Sequence, residues 1–408
     1  MRILFVSNHF PEDLSIKVHG VFKRFQIFID AVKDIAEIDL LYYVPQGTDT
    51  SPSAVIQLER SFSIHFKMPV RLFLCKRSDN NMVISKCLTY VVGTFSFVRQ
   101  PIYSGTTGAR QVQAFESCLD NNPDAVFVHR LGAMCPLLQT GRSLPPVFFD
   151  LDDLEHIAFI RGLRYLEKIR TRLLRYLLFP ALCWGQYKAI RLAHRTFVCS
   201  DNDREYLTNH WGLKGVVKVP NAVMIPMPQP MTSMQTLLFL GSYSHKPNID
   251  AAEYLINQIW PIIHQKLPTA TLIIGGSPPD RIPSYYSGAQ GVRFTGFVKD
   301  LDELYRQSRV VCAPILSGSG TRVKILEAAA NGKPIVSTRI GAEGLDMRDG
   351  YDIVIRDDPK LFAEACIKLL NDYNGCEQMG NFARATVVSK YDQINIKSLI
   401  QEIIKESL

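Results

Sequence analysis

The sequence predicts an α/β protein with two parallel-sheet lobes, and three observations carry that prediction. Short apolar runs alternate with helical patterns from residue 2 onward, which is typical of parallel strands covered by helices. The stretch 223–235 then interrupts the pattern with three prolines and no regular period. A second alternation begins at residue 236. A chain of 408 residues is also long enough to build more than one hydrophobic core.

The first lobe is predicted to span residues 1–222. Its strands are short apolar runs, and the first helix follows from apolar residues at helical spacing. The predicted strands are 2–7, 38–44, 125–128, 146–149 and 196–199, with a helix at 20–35.

The second lobe is predicted to span residues 236–384, after a linker at 223–235. Its predicted strands are 236–241, 270–275, 309–314 and 334–338, and its predicted helices are 248–266, 300–307, 321–331 and 359–371. Ligands of open parallel sheets bind beyond the carboxyl ends of the strands. We therefore expect a ligand site in a cleft between the two lobes.

Composition excludes several classes of protein. Hydrophobic residues make up 47% and charged residues 21%, the balance of a globular chain rather than a disordered one. The sequence shows no secretory signal and no apolar run of membrane-spanning length. The nine cysteines are scattered without a Cys-x-x-Cys pair, which favours a reducing compartment over a zinc site of that spacing. We therefore predict a cytoplasmic protein.

The basic residues concentrate in one segment. Residues 155–195 contain nine Lys or Arg and two Glu, a surplus equal to the net charge of +7 of the whole chain. A helical wheel over 160–178 predicts an amphipathic basic helix, with Arg161, Arg164, Lys168, Arg172 and Arg175 on one side and leucines on the other.

Two interpretations of this segment stay open. One is an ordinary surface helix with a solvated basic face. The other is a surface for anionic lipid headgroups or a polyanionic acceptor, which would place the protein peripherally on the inner membrane face. Nucleic acid is not an expected partner, because the chain has no zinc finger, RNA-binding aromatic motif or basic tail.

Residues 317–328 combine features that suit a diphosphate joined to a ribose. The loop 317–321, Ser-Gly-Ser-Gly-Thr, lies between a strand and a helix. Gly318 and Gly320 let backbone N–H groups approach an anion, and the helix N-terminus adds its dipole. Arg322 and Lys324 add positive charge, and Glu327 lies one turn further along for sugar hydroxyls. The Gly-Lys-Ser/Thr ending of a Walker A loop is missing.

This segment resembles the donor-site helix of the retaining family-4 (group 1) glycosyltransferases, which have the GT-B fold. The pattern Gly-x-Gly-Thr-Arg-x-Lys-x-Leu-Glu-Ala matches residues 318–328. Phe239-Leu240-Gly241 with Lys246-Pro247-Asn248, and Phe294-Thr295-Gly296-Phe297-Val298, are similar to further markers of that family. The resemblance is strong over 237–345 and loose over 40–120. It implies two Rossmann-like lobes facing a central cleft, and a C-terminal helix at 385–408 that returns to the first lobe.

The resemblance also implies roles for individual residues. Glu327 would hold the ribose hydroxyls, while Arg322 and Lys324 would stabilise the leaving nucleoside diphosphate without a bound metal or other cofactor. The further donor-binding residues would be Gly20, Gly241, Lys246, Val298, Gly318, Gly320 and Thr321.

Candidate acceptor residues follow strands of the first lobe. Asp152 and Asp153 lie at the end of an apolar run, as candidates for a catalytic base or for hydroxyl ligands. The alternative is that the acids here cap the following helix, and nearby carboxylates also leave room for a metal. His129 and Arg130 follow another strand, and either contact the acceptor or serve the structure.

We therefore predict a retaining glycosyltransferase that moves a sugar from a nucleotide-diphosphate donor to a hydroxyl of a glycan or lipid-linked saccharide. Two alternatives follow from departures from the family pattern. Ser319 stands where a first glutamate is usual, and Ser242 follows Gly241 where an arginine is usual. A sugar-nucleotide epimerase or phosphorylase, or an inactive glycan-binding homologue, would tolerate these changes. The retained Arg322, Lys324 and Glu327 favour the transferase.

Overall fold

The computed structural model describes residues 1–11, 14, 20–78, 86–163 and 168–408. The chain forms two compact units. The first unit comprises Met1–Val219 together with Lys397–Leu408, and the second comprises Pro220–Ile396. Each unit contains one fully parallel sheet flanked by helices, so the predicted α/β class is confirmed.

The first unit is built on a seven-stranded sheet in the order β3-β2-β1-β4-β5-β6-β7. Its strands are β1 (Arg2–Ser7), β2 (Glu37–Val44), β3 (Val70–Lys76), β4 (Ala125–His129), β5 (Val147–Asp152), β6 (Arg195–Val198) and β7 (Val216–Lys218). Its helices are α1 (Gly20–Val32), α2 (Pro52–Phe66), α3 (Lys86–Phe95), α4 (Ala109–Leu119), α5 (Leu131–Met134), α6 (Glu155–Leu163), α7 (Ile169–Tyr176), α8 (Phe179–Leu192) and α9 (Asp201–Glu205). The central strands are buried on both faces, which explains their continuous apolar runs.

The second unit is built on a six-stranded sheet in the order β10-β9-β8-β11-β12-β13. Its strands are β8 (Thr236–Leu240), β9 (Thr271–Gly275), β10 (Val292–Gly296), β11 (Val310–Ala313), β12 (Ile335–Ser337) and β13 (Val354–Ile355). Its helices are α10 (Lys246–Tyr254), α11 (Trp260–Lys266), α12 (Leu301–Gln307), α13 (Val323–Ala330), α14 (Pro359–Asn371), α15 (Tyr373–Tyr391) and α16 (Gln393–Ser407). The residues of α16 from Lys397 onward belong to the first unit.

The strand order reverses at the same place in both sheets. In the first unit β1 lies between β2 and β4, and in the second β8 lies between β9 and β11. Chain connections leave in opposite directions at such a point, which opens a crevice beyond the carboxyl ends of the strands. The side chains that follow β1, β4 and β5, and those that follow β8 and β11, are therefore the candidates for function.

The prediction of one continuous basic helix over 160–178 is wrong. Helix α6 ends at Leu163, and α7 begins only at Ile169, after Lys168 in an extended conformation. Arg164 lies outside the described residues. The leucine side of the wheel lies on a core only in α6, where Leu163 is buried, whereas Leu173 of α7 is 59% exposed. No helix of the described ranges is both long and apolar enough to cross a membrane.

The helix predicted over 248–266 is confirmed, since helical conformation is continuous from Lys246 to Lys266, with one irregular turn inside it. Helix α10 passes into a π-helical turn at Leu255–Ile259 before α11 begins. Pro261 has no N–H to donate to the preceding turn, so the regular hydrogen-bond ladder cannot continue through it.

Candidate active site

The loop between β11 and α13 has a backbone that requires glycine. Gly318 and Gly320 have φ angles of +103° and +77°, a region that side chains disfavour. A Cβ atom on Gly318 would also lie 3.2 Å from Nη2 of Arg322. The Gly-x-Gly pattern therefore lets the chain turn closely around the Arg322 guanidinium.

Arg322 occupies the N-cap position of α13 and holds the loop in shape. Its Nη1 donates hydrogen bonds to the carbonyl oxygens of Ser319 and of Gly320, the latter at 2.8 Å. Its Nη2 lies 3.4 Å from the carbonyl oxygen of Ser317. These contacts with neutral oxygens orient the guanidinium against the loop.

Lys324 lies in the first turn of α13, against β8. Its Nζ donates to Oδ1 of Asn248 at 2.8 Å and stands 4.7 Å from the centre of the Phe239 ring. Burial and the neighbouring charge of Arg322 lower the pKa of Lys324 to about 7, against the opposing effect of Glu327. A diphosphate placed here would favour the protonated amine.

Asn248 is itself fixed by the segment that follows β8. Its Nδ2 donates to the carbonyl oxygen of Ser242 at 2.9 Å, and a Cβ on Gly241 would lie 3.1 Å from the Asn248 Cβ. Gly276 has a φ of +131°, and a Cβ there would lie 1.7 Å from the Gly241 carbonyl oxygen. These close approaches keep the ends of β8 and β9 free of side chains beside the Lys324 amine.

Thr321 and Glu327 complete the donor-side cluster. The Oγ1 of Thr321 accepts a hydrogen bond of 2.7 Å from Nδ2 of Asn221, so the last residue before Arg322 is held in place. Glu327 lies one turn beyond Lys324 on α13 and is partly buried. Its charge acts on Lys324 and on the buried Tyr305, whose pKa burial raises well above its usual value.

Three predicted donor residues have different surroundings. Lys246 begins α10 with a side chain that is 72% exposed, and its Nζ lies 2.6 Å from Oδ1 of Asp250. Val298 packs partly buried against the core of its unit, while the neighbouring Phe297 is half exposed. Gly20 is the first residue of α1. Of these, only Lys246 carries a charge, and that charge already has a carboxylate partner.

In the first unit, the predicted acceptor residues join a buried ionic cluster around Arg24 of α1. The Nη2 of Arg24 donates to Oδ1 of Asp150 at 2.7 Å, and its Nε lies 3.2 Å from Oδ1 of Asp152. Its Nη1 donates to the carbonyl oxygen of Val219 at 2.9 Å. Arg24 is 2% exposed and Asp150 is fully buried, so the two opposite charges stabilise each other away from water.

Asp152 is held from several sides. Arg130 donates to its Oδ2, and the Cys199 thiol donates to its Oδ1 at 2.8 Å. Burial opposes the charge of Asp152, but Arg130 and Arg24 outweigh it and lower the pKa of this carboxyl. Arg130 and Asp152 have φ angles of +67° and +64°, which are strained for residues other than glycine. Strained backbone conformations therefore occur at the ends of both β4 and β5.

His129 lies at the end of β4 with no exposed surface. Its Nδ1 lies 3.2 Å from Oγ of Ser7, and burial lowers its pKa well below the ordinary value. His9 lies beside it, with ring centres 5.8 Å apart, and burial together with the charge of Arg130 lowers the pKa of His9 to about 4. Both imidazoles are therefore neutral at pH 7. The complete burial of His129 favours its structural interpretation over direct acceptor contact.

Asp153 lies beside this cluster and is more accessible. One of its carboxylate oxygens is 3.7 Å from Nη2 of Arg130. Asp152, Asp153 and Cys199 have potential metal-ligand atoms within 4.8 Å of one another. The guanidinium groups of Arg24 and Arg130 already lie against Asp152, and their charge opposes a cation at that position.

Sequence reasoning missed the residues that orient the charged groups. Asn248 appeared only as a member of the Lys246-Pro247-Asn248 segment, and nothing in the sequence linked Asn221 to Thr321. Arg24 and Cys199 carried no signal that linked them to Asp150 and Asp152. Their positions depend on which strands are neighbours, which spacing along the chain does not reveal.

Comparison with known proteins points to one family. Residues 234–372 match the family described as "Glycosyl transferases group 1". The chain is 27% identical over 179 residues to an uncharacterized 44.6 kDa protein in the cps region of Klebsiella pneumoniae, covering 42% of this chain and 45% of that protein. It is 24% identical over 213 residues to a phosphatidyl-myo-inositol mannosyltransferase of Mycobacterium leprae, covering 48% of this chain and 56% of that protein. The matched segments thus span about half the length of these relatives.

A solved structure extends the likeness in fold to the whole chain. The complex of Anabaena Alr3699/HepE with UDP and glucose aligns with a TM-score of 0.63 at 14% identity, over 99% of both chains. Both units therefore have the arrangement of strands and helices found in GT-B proteins, which confirms the predicted fold class. The family match thus covers residues 234–372, and the likeness in fold covers the whole chain.

Proposed function

We propose that this protein is a retaining glycosyltransferase that moves a sugar from a nucleotide-diphosphate donor to a hydroxyl of a glycan or lipid-linked saccharide. The observation that carries the proposal is the pair Arg322 and Lys324 at the start of α13. Their hydrogen bonds run to carbonyl and amide oxygens, and glycines clear the space at the ends of β8 and β9. Two cationic side chains at the start of one helix, beside a glycine loop, suit an anionic ligand.

The chemistry of the donor side follows from these charges. When the bond between sugar and diphosphate breaks, the leaving oxygen gains negative charge, and cations already in position stabilise it without reorganising. Arg322 supplies a permanent charge, and Lys324 is protonated when the diphosphate binds. Glu327 accepts hydrogen bonds from the ribose hydroxyls. No metal has a part in the proposed mechanism, since the two side chains supply the charge.

On the acceptor side, we assign Asp152 and Asp153 to the orientation of the acceptor hydroxyl. The lowered pKa of Asp152 keeps it ionised, which suits a hydrogen-bond acceptor but makes it a weak base at neutral pH. Arg130 fixes the position of its carboxylate. Attack on the same face that the nucleotide leaves, which defines retention, rests on the family resemblance.

The identity of donor and acceptor is proposed from the relatives. Anabaena HepE was solved with UDP and glucose, so UDP-sugars are the first donors to test. The Klebsiella relative lies in a cps region, and the mycobacterial one is described as a phosphatidyl-myo-inositol mannosyltransferase. These names favour a polysaccharide or lipid-linked acceptor, with the basic residues of 160–178 facing an anionic membrane surface.

The experiment is a thermal-shift screen of UDP, GDP, ADP and their sugar derivatives, with the wild type beside Glu327→Gln and Lys324→Met. A ligand at a hundred times its dissociation constant stabilises the folded state by about 2.7 kcal/mol. We expect one nucleotide family to raise the melting temperature of the wild type and to have a weaker effect on both variants. Cooperative melting without a shift for any nucleotide would contradict a donor site and favour the inactive homologue.

A coupled measurement separates the transferase from the epimerase. The stabilising nucleotide sugar is incubated with the protein alone and with a mixture of lipid-linked saccharides. A transferase releases the nucleoside diphosphate faster when an acceptor is present. Release or isomerisation that proceeds equally without any acceptor would instead support the epimerase or phosphorylase.

A further inference from the structure

Residues 219–226, which we call the connecting segment, lead from the first unit into the second. The segment begins at Val219, a fully buried residue whose N–H donates to a carbonyl oxygen of β6 at 2.9 Å. The carbonyl oxygen of Val219 accepts a hydrogen bond of 2.9 Å from Nη1 of Arg24. The same guanidinium binds Asp150 and lies against Asp152. The start of the connecting segment is therefore fixed by a buried ionic cluster, which we call the Arg24 cluster.

Asn221 joins the connecting segment to the loop before α13. Its Nδ2 donates to Oγ1 of Thr321 at 2.7 Å, and the two residues are only 6% and 8% exposed. Thr321 directly precedes Arg322, the N-cap residue of α13. Breaking a hydrogen bond between buried groups leaves them desolvated, which costs free energy. Asn221 therefore holds the backbone from which the Arg322 side chain extends.

The connecting segment also holds the other end of α13, through Arg384 of α15. The Nη1 of Arg384 donates to the carbonyl oxygen of Ala330, the last residue of α13. Its Nη2 donates to the carbonyl oxygen of Pro226 at 2.6 Å. A cation is favourable at a helix C-terminus, because the helix dipole is negative there. Between these two points, Val223 packs in the same hydrophobic core as Leu326 of α13.

The position of α13 matters because this helix carries the proposed donor cations. It has only eight residues, and a helix this short depends on its contacts rather than on its own stability. Its contacts with the connecting segment lie at both ends, through Asn221 and Arg384. A displacement of about 1 Å is enough to cost a catalytic group roughly a hundredfold in rate. The placement of Arg322 and Lys324 therefore depends on the connecting segment, whose first residue is held by Arg24.

We propose that the connecting segment couples the Arg24 cluster to the loop before α13, so that an acceptor bound beside Asp152 and Asp153 changes the affinity for the nucleotide. Asn221 is a positioning residue in this coupling, since it acts through Thr321 and Arg322. Coupling between two sites is reciprocal, so a bound nucleotide changes the affinity for the acceptor by the same factor. The inference rests on the proposed donor and acceptor sites, but the coupling is measured without any transfer of sugar.

The first experiment measures hydrogen exchange of the full-length protein without ligand, in peptides that cover residues 317–322. Asn221→Ala removes the hydrogen bond to Thr321. Arg24→Lys keeps the positive charge but loses the planar fork that donates in several directions at once. We expect the amides of this loop to exchange roughly fivefold faster in each variant, because the loop loses part of what holds it in place.

Two controls and a third variant sharpen this test. Arg71→Lys alters another pair with a buried aspartate in the first unit, and Asn257→Ala removes hydrogen bonds elsewhere in the second, so neither should change the exchange of the loop. Pro220→Gly leaves the side chains of Arg24 and Asn221 in place but frees the backbone between their bonds, since proline fixes φ and glycine does not. It should speed the exchange of the loop as well, and it covers the case in which Arg24→Lys fails to fold.

The second experiment measures the UDP affinity of the same proteins by calorimetric titration. Arg24→Lys and Asn221→Ala should each weaken UDP binding by roughly fivefold. In the double variant the loss should stay near fivefold, because both substitutions break the same connection, whereas independent effects would multiply to roughly 25-fold. Thr321→Val loses the hydroxyl and should match Asn221→Ala, whereas Thr321→Ser keeps it and should resemble the wild type.

Faster exchange of the loop in Asn221→Ala and in either Arg24→Lys or Pro220→Gly, with both controls unchanged, would support the coupling. Unchanged exchange in Arg24→Lys and Pro220→Gly would overturn it, as would losses of UDP affinity that multiply in the double variant. If no nucleotide binds the wild type while these variants still speed the exchange of the loop, the proposed donor site is wrong and the coupling stands. If UDP binds the wild type and all variants equally, the donor site stands and the coupling is wrong.

Discussion

The two units place charged residues at the carboxyl ends of their sheets in opposite electrostatic arrangements. In the first unit, Arg24 and Arg130 are paired with the carboxylates of Asp150 and Asp152 inside the protein. In the second unit, the hydrogen bonds described for Arg322 and Lys324 run to neutral oxygens. The first arrangement joins cations and carboxylates directly, whereas Lys324 is hydrogen-bonded to a neutral amide and Glu327 acts on it through its charge. A cation that is hydrogen-bonded to a carboxylate has already lost much of its attraction for a diphosphate.

The difference also separates stability from binding. Removing one member of a buried ion pair leaves its partner charged in a low-dielectric interior, at a large cost to the folded state. Lys324 is hydrogen-bonded to the neutral amide of Asn248, and Glu327, which acts on it through its charge, is only partly buried. We therefore expect substitutions in the first cluster to act mainly on the free energy of unfolding, and substitutions at Lys324 to act mainly on nucleotide affinity.

The largest expected effect tests the first half of this comparison. Arg24→Met leaves Asp150 buried without its main counter-charge, and should lower the free energy of unfolding by about 3–5 kcal/mol. Arg142→Met removes an exposed pair with Asp120 and should cost less than about 1 kcal/mol. Urea denaturation of both variants measures the difference. Equal stabilities would mean that the buried cluster does not hold the first unit together.

The second prediction concerns nucleotide affinity. Lys324→Met removes a charged hydrogen-bond donor from the diphosphate, and should weaken binding of UDP, or of whichever nucleotide the screen selects, by roughly 10- to 100-fold. The midpoint of urea unfolding should not fall, because burial disfavours the charge that this substitution removes. Calorimetric titration gives the affinity, with Lys266→Met as the control. Lys246→Met should weaken nucleotide binding less, since Asp250 already neutralises Lys246. An equal loss of affinity in Lys246→Met and Lys324→Met would contradict this difference.

The third prediction uses the pKa of Lys324, which is lowered to about 7. The amine is protonated below that pH and neutral above it, so its contribution to diphosphate binding should fall as the pH rises from about 6 to about 8, by up to about tenfold. The nucleotide titrates as well, and the ratio of wild-type to Lys324→Met affinity removes that contribution. A ratio that stays constant across this range would show that Lys324 does not titrate there.

The smallest expected effect tests how Lys324 is held. Asn248→Ala removes the hydrogen bond to its Nζ and should weaken nucleotide binding by roughly fivefold. Asn248→Asp puts a carboxylate beside the amine, which should raise the pKa of Lys324 and move its pH dependence above pH 8. Asn257→Ala, which removes hydrogen bonds to Glu253 and Ser284 instead, serves as a control. If Asn248→Asp leaves the pH dependence unchanged, Asn248 does not orient the lysine.

Much of the architecture was predictable because the strands are apolar on both faces. The apolar runs at residues 2–7, 38–44 and 236–241 could be identified without knowing which strands pair. The observed strands differ from the predicted ones by no more than one residue at either end. The interval between 45 and 124 was not predicted in detail. It contains β3, whose last four residues are only partly buried, so the apolar signal there is weaker.

Helix ends were less predictable than strands. The helical wheel over 160–178 has leucines on one side, and from it we predicted a continuous helix. The structure instead has two helices, α6 and α7. Periodicity detects the face of a helix and not its interruption. Over 248–266 the predicted helix is present, but periodicity gave no sign of the π-helical turn that precedes α11.

The sequence by itself determined the α/β class, the two sheets and the residue types of the loop between β11 and α13. Those features depend on local patterns: apolar runs, glycines before a helix, and Arg322, Lys324 and Glu327 within two turns. Only the tertiary structure decided which partner each charged group has. Arg24 and Asp150 are 126 residues apart in the chain, and Lys324 and Asn248 are 76 apart. The order of strands in each sheet brings these pairs together, and the interaction between charges depends on distance in space rather than along the chain.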